Sequence, residues 1–381
     1  MKEAERIYLD NAATGGFKIS AVLNTSDTVN RYLCANPGRS GHRLSTTGAE
    51  LVFKTRELFS RTFNCPTERV IFTKNCTEAL NMAIFGVNLK KKEVLTTVFE
   101  HNSVLRPLYE LERQKRIDLK ILAPTLDKDI FTVIKENISR QTGMVITTMA
   151  SNVTGEVLPV KKIGALLNGL GIIYVVDGAQ AGGHVEVSIK DGISALCLAG
   201  HKGLYGLMGT GVLLFSEDIE ISPLIYGGTG SFSTLKTQPE TYPEKLESGT
   251  VNLSGVASLY EGLNYVNKNI KNFSEVLTSL TKKTIQGLSQ IEGVKCYSLP
   301  NPVGIVSFLV KDLSSSEVSE TLNSEFDIAV RGGLHCAPLL HNHLNTLETG
   351  LVRASFSAHN TSQEASSLVR AVKKIASRIK D

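Results

Sequence analysis

The sequence predicts a parallel α/β protein, and three observations carry the prediction. Short continuous apolar runs recur through the first two thirds of the chain, stretches of helical character lie between them, and the pattern changes after Thr250. Continuous rather than alternating runs describe strands covered on both faces, and their alternation with helices is the signature of a parallel sheet. In order, strands are expected at residues 70–72, 93–97, 144–148, 172–176, 195–198 and 211–215, with helices at 78–85, 103–114 and 160–167. Beyond Thr250 come a long amphipathic helix at 255–286, a strand at 304–310, a helix at 315–324 and a basic-ended surface helix at 362–378. The division expected is a large domain at 16–255 and a smaller one formed by 1–15 and 256–381.

Composition narrows the function classes. With 381 residues, 42% hydrophobic and 20% charged, the chain has the balance of a globular protein and not of a disordered one. A formal net charge of +4 is far from what phosphate-backbone binding asks, so no nucleic acid partner is expected. No apolar stretch reaches the roughly 18 residues of a membrane helix, and the start lacks the apolar centre of a signal peptide, so a cytoplasmic protein is expected. Six cysteines without a CxxC pair give neither a disulfide framework nor a four-thiolate zinc site.

Asp177 stands just past a buried strand, at the sheet edge where ligands of open α/β proteins bind, and Lys202 follows the next strand among glycines. Alone, each fits an ordinary role, a turn-capping acid and a solvated lysine. Together they meet the two demands of pyridoxal phosphate: an amine that condenses with its aldehyde and a carboxylate for its ring nitrogen. Asn75-Cys76-Thr77-Glu78 opens a helix after a strand and offers free amides and a hydroxyl to an anion, although it is also an ordinary helix cap. Neither a Walker A nor a GxGxxG pattern is present.

In order along the chain stand Tyr8-Leu-Asp10-Asn11, Asn75-Cys76-Thr77-Glu78, Glu100-His101, Ser151-Asn152, Asp177-Gly-Ala-Gln180 and Gly200-His201-Lys202. This set resembles the class V aminotransferase family, and within it the cysteine desulfurases of the short-loop branch, which also holds selenocysteine lyases. The resemblance implies fold type I of the pyridoxal phosphate enzymes, with a mostly parallel seven-stranded sheet and a smaller α+β domain. It implies Lys202 as the Schiff-base lysine, Asp177 on the ring nitrogen, Gln180 on the ring hydroxyl, His101 stacked on the ring with a share in proton transfer, and Asn152 near ring and substrate. Cys76, Thr77 and His201 would surround the phosphate, and Gly249-Thr250 would reach the phosphate of a neighbouring subunit in a homodimer. Ala199 departs from the serine or threonine many relatives carry there, which removes one phosphate contact.

The reaction is selected by Arg331-Gly-Gly-Leu-His335-Cys336 and by Arg353. Desulfuration needs a thiolate that attacks sulfur, and an adjacent imidazolium or a backbone dipole lowers a thiol pKa. Cys336 matches the family's persulfide cysteine, and Arg331 and Arg353 are the expected substrate residues, Arg353 gripping the carboxylate. The implied reaction turns L-cysteine into L-alanine and leaves sulfur on Cys336 for a thiol or an acceptor protein, as in sulfur mobilisation for iron–sulfur cluster assembly. L-selenocysteine cleavage and plain transamination are the alternatives. His335, Cys336, His341 and His343 also contain zinc ligand types, but their spacing fits no usual zinc template, so no metal is expected and His341 and His343 read as solvated loop residues. The remaining cysteines read as structural.

Overall fold

The computed structural model describes residues 6–33, 35–38 and 40–378. Cys34, expected to be structural, and the chain start read for a signal peptide (residues 1–5) lie outside the described residues. The first part of the chain contains β1 (Ile7–Tyr8), α1 (Ser20–Tyr32), α2 (Arg43–Phe63), β2 (Val70–Thr73), α3 (Cys76–Gly86), β3 (Glu93–Thr97), α4 (Asn102–Arg113), β4 (Asp118–Leu122), α5 (Ile130–Asn137), β5 (Thr142–Thr148), α6 (Val160–Gly169), β6 (Ile173–Asp177), β7 (Ala195–Ala199) and β8 (Gly211–Phe215). There follow α7 (Leu253–Leu288), β9 (Val294–Cys296), β10 (Ile305–Val310), α8 (Ser315–Phe326), β11 (Ile328–Ala329), β12 (Arg331–Gly333), α9 (Pro338–His343), β13 (Leu351–Ser355) and α10 (Ser362–Ser377).

The large sheet has seven strands in the order β2-β8-β7-β6-β5-β3-β4. Only β8 runs against its neighbours; β7, β6, β5, β3 and β4 are mutually parallel. Neighbouring residues on these strands enter different cores: Val145, Val176 and Leu196 pack on one side, and Ile146, Val175 and Cys197 on the other. Both faces are therefore dry, and this is the physical reason the strands read as unbroken apolar runs. The edge strand β4 escapes that reading because Asp118 and Lys120 face solvent, Lys120 pairing with Glu93 at 2.5 Å.

A second, antiparallel sheet in the order β12-β13-β10-β9 and a two-stranded parallel pair β1-β11 form the other layer. The long helix α7 spans both layers. Leu259 and Leu263 near its start belong to a core of the large sheet, whereas Leu277, Leu280 and Leu288 join α8 and α10 over the small sheet. Pairing of β1 with β11 brings the beginning of the chain, through Asp10, onto β13.

Candidate active site

Parallel strands β5, β6 and β7 end along one edge, and that edge holds the site. Asp177 closes β6 and is 3% exposed, a carboxylate with no cation against it among the described residues. Its Oδ1 accepts the Ala179 N–H at 2.9 Å and faces the Cys76 Sγ at 3.5 Å. Lys202 lies in the turn after β7, where the Tyr205 N–H bonds to its carbonyl at 3.0 Å. Glycines around it allow close packing of protein atoms. A Cβ on Gly203 would meet the Gly182 carbonyl oxygen at 2.3 Å, and one on Gly200 the Thr210 hydroxyl at 2.2 Å. Burial holds the Lys202 ammonium below its usual pKa, Asp177 opposes this, and Arg353 and Arg331 add to it.

His101 caps α4, its Nδ1 accepting the Ser103 N–H at 3.0 Å, which leaves the ring proton on Nε2. Its pKa is lowered, first by burial, against the pull of Asp177. Asn75 caps α3 by accepting the Glu78 N–H at 2.9 Å, leaving the amides of Cys76 and Thr77 at an open helix start. The Cys76 side chain turns inward to Asp177. His201 Nδ1 sits 3.0 Å from the Thr14 hydroxyl, and burial, with Lys202 and Lys18, pushes the ring down to about 4. Gln180 donates Nε2–H to the Ala12 carbonyl at 3.1 Å.

Arg331 and Arg353 are direct cross-strand partners on β12 and β13, so both side chains leave the same face. Arg353 is 1% exposed; it donates from Nη2 to Asp10 Oδ1 at 2.8 Å and from Nη1 to the Asn152 carbonyl at 3.1 Å. Asn152 in turn donates Nδ2–H to the His335 carbonyl at 2.6 Å. A chain of contacts thus runs from Asp10 through Arg353 and Asn152 to the turn before Cys336. That turn is tight: His335 and Cys336 have φ of 50° and 57°, and the Ala337 N–H closes it onto Leu334 at 2.9 Å. Cys336 is exposed, in a groove of about 390 Å³ shared with Thr77, His101, Ser103 and Arg106.

Two expectations are corrected here. His335 cannot supply an imidazolium to Cys336, because it is 2% exposed, bonds to the Leu351 carbonyl through Nε2 at 3.0 Å and is pushed down to about 2, mainly by burial. His341 is not solvated: it is 0% exposed, on α9, with Nδ1 2.9 Å from the Thr346 hydroxyl. His343 is exposed, and among the described residues no three metal-ligating side chains converge. Gly249 and Thr250 line a separate cavity of about 240 Å³ with Lys74 and Glu78. Their segment is anchored by Glu247, which pairs with Arg56 at 2.9 Å and accepts the Phe72 N–H at 2.7 Å.

The residues fit pyridoxal phosphate. Lys202 and Asp177 lie within electrostatic reach of each other without forming an ion pair, and Asn152 Oδ1 and Arg353 Nε are buried with no hydrogen-bond partner among the described residues.

The family model for class V aminotransferases matches residues 7–368. The chain belongs to that family. This class V aminotransferase is 32% identical to a probable cysteine desulfurase of Methanothermobacter thermautotrophicus, over 98% of this chain and 95% of the relative. It is 33% identical to a probable cysteine desulfurase of Pyrococcus abyssi, over 94% and 92%. Among solved structures it is similar to the apo cysteine desulfurase of Thermococcus onnurineus, with a TM-score of 0.89 and 29% identity over 98% of this chain and 95% of the other. A cysteine desulfurase of Escherichia coli gives 0.87 and 27% over 98% and 95%. Its fold is accordingly the α/β fold type I of the pyridoxal phosphate enzymes.

Sequence reasoning gave no role to Asp10, Thr14, Lys18 or Ser103, although each touches a residue it did single out. Asp10 stood inside a recognised motif, and an acid there was the signal; its partner, 343 positions away, was not.

Proposed function

We propose that this protein is a pyridoxal-phosphate-dependent cysteine desulfurase that releases L-alanine from L-cysteine and carries the sulfur on Cys336 as a persulfide. The observation that carries the reading is one open groove holding both Cys336 and His101, with Lys202, Asp177 and the two arginines within electrostatic reach of His101. Bound pyridoxal phosphate supplies an electron sink that acidifies the Cα–H of a bound amino acid. Lys202 would hold the cofactor and, with its lowered pKa, would take the Cα proton on Nζ. Asp177 would hold the ring nitrogen, Gln180 the ring hydroxyl, and His101 the ring. The amides of Cys76 and Thr77, with the Thr77 hydroxyl and His201, receive phosphate at the helix start.

Arg353 and Arg331 orient the substrate carboxylate, and Asn152 sits between that arginine and the nucleophile's turn. Cys336, as the thiolate, attacks the substrate sulfur, so that an S–S bond forms as the Cβ–S bond breaks; the bond's electron pair stays with the carbon skeleton, Cβ and Cα each gain a proton, and alanine leaves. The turn around Cys336 is held by the Asn102 N–H on the Cys336 carbonyl at 2.8 Å as well as by Asn152, which fits a persulfide that stays in the groove until a thiol or acceptor protein reaches it. A homodimer in the cytoplasm fits the exposed Leu224, Ile225, Tyr226, Phe232 and Leu235, with Gly249-Thr250 serving the neighbouring subunit's phosphate. The division into 16–255 and a second unit of 1–15 with 256–381 is supported by the separate core over the small sheet, although Val303, Ile305, Leu340 and Leu351 join the large-sheet core across that boundary.

The test is Cys336→Ala. It should keep the bound cofactor's colour, release little alanine from L-cysteine and carry no persulfide, while retaining activity on L-selenocysteine, whose selenium leaves more readily. Alanine release at the wild-type rate would refute the role of Cys336.

A further inference from the structure

The first residue of α3 is a thiol whose side chain does not point at the helix start. Cys76 is 7% exposed, and its Sγ lies 3.5 Å from Asp177 Oδ1, within the range of an S–H···O contact. The same oxygen accepts the Ala179 N–H at 2.9 Å, and no group of the described residues donates to the second oxygen. One carboxylate oxygen is thus loaded with two donors, and the other is left for a ligand.

We infer that Cys76 is a positioning residue for the cofactor carboxylate: its S–H donates to Asp177 Oδ1 and holds that carboxylate with its second oxygen left for the ring nitrogen. The inference rests on the reading of Asp177 as the partner of a pyridine nitrogen. Burial, first, and then the neighbouring Asp177 raise the thiol pKa well above the usual value, so the sulfur keeps its proton and acts as the donor. Cys197 on β7, Lys202 after β7, Glu100 and His101 before α4 are the other titratable groups acting on this pair. A carboxylate oriented in this way offers its open oxygen to the protonated ring nitrogen, which is the state that makes the ring an electron sink. The phosphate then draws only on the backbone N–H of Cys76, and the thiol serves the opposite end of the cofactor.

The experiment compares the full-length protein, as purified with its cofactor, with Cys76→Ser, Cys76→Ala and Asp177→Ala. The infrared S–H stretch of Cys76, isolated as the difference between wild type and Cys76→Ser, should lie below that of a free thiol and move up to it in Asp177→Ala. The pH midpoint of the bound cofactor's visible absorption should shift by about one unit in Cys76→Ala, the scale of one weak hydrogen bond to a charged group, and return in Cys76→Ser. A free-thiol band in the wild type, or a midpoint that shifts equally in both Cys76 variants, overturns the inference. If no cofactor is bound at all, the reading of the site fails, and the infrared band alone still decides whether the thiol donates to Asp177.

Discussion

Replacing Glu100 with glutamine should stabilise the protein, and by an amount that grows with pH. Glu100 lies between β3 and α4, is 0% exposed, accepts the Thr97 hydroxyl at 2.6 Å through Oε1 and has no partner for Oε2. Burial, with a smaller push from Asp177, raises its pKa from 4.5 to about 8. The folded state therefore binds this proton more tightly than the unfolded chain. Below about pH 4.5 both states are protonated and Glu100 adds no pH dependence; between 4.5 and 8 only the unfolded chain ionises, and stability falls as pH rises. At about 1.4 kcal/mol per unit, the loss is on the order of 3 kcal/mol at pH 7 and 5 kcal/mol at pH 8, as upper bounds. Glutamine keeps the acceptor for Thr97 and cannot ionise. Denaturant titrations of both proteins at pH 5 and pH 8 measure the difference, which should be small at pH 5 and several-fold larger at pH 8. An equal difference at the two pH values would refute the argument, since the effect would then come from packing and not from the proton.

Other outcomes follow from the site. Lys202→Ala should not be labelled when borohydride is added with the cofactor, and mapping the reduced adduct of the wild type to another lysine would displace Lys202 from its role. Arg353→Lys should raise KM for L-cysteine by one to two orders of magnitude, the scale of a lost bidentate contact, with the cofactor's colour intact; unchanged steady-state kinetics would move carboxylate binding elsewhere. Asp10→Asn should raise KM less, because Arg353 keeps its bond to the Asn152 carbonyl while losing its ion pair. The acid limb of kcat/KM assigned to His101 should lie below about pH 6.5, since burial lowers that pKa, and it should vanish in His101→Gln.

The strands of the large sheet were legible because both their faces are dry, so residues such as 144–148 and 195–198 carry nothing polar enough to break the run. β13 was not, since Arg353 interrupts its apolar residues, and its ion pair with Asp10 and its bond to the Asn152 carbonyl make such a residue acceptable inside a sheet. β12 is an arginine and two glycines, and β9 and β1 are too short to show a period. At the site, residue types and order pointed to Lys202, Asp177, Cys336 and Arg353. What sequence could not tell was direction: His335 adjoins Cys336 in the chain, yet the turn sends the imidazole inward and the thiol outward. Cys76 likewise sits where an anion-binding helix begins while its sulfur points at a carboxylate.

The parallel pairing of β1 with β11, and the bond from Asp10 to Arg353 beyond it, tie the first described strand to the last. During synthesis the large sheet can form as its strands emerge, but the bond between Asp10 and Arg353 must wait until β13 has been made. Closing that loop is a late, entropically costly event of high contact order, so the catalytic edge should mature after the bulk of the protein is already compact. A fusion that burdens the residues just before Ile7 should therefore slow the gain of activity more than the gain of secondary structure.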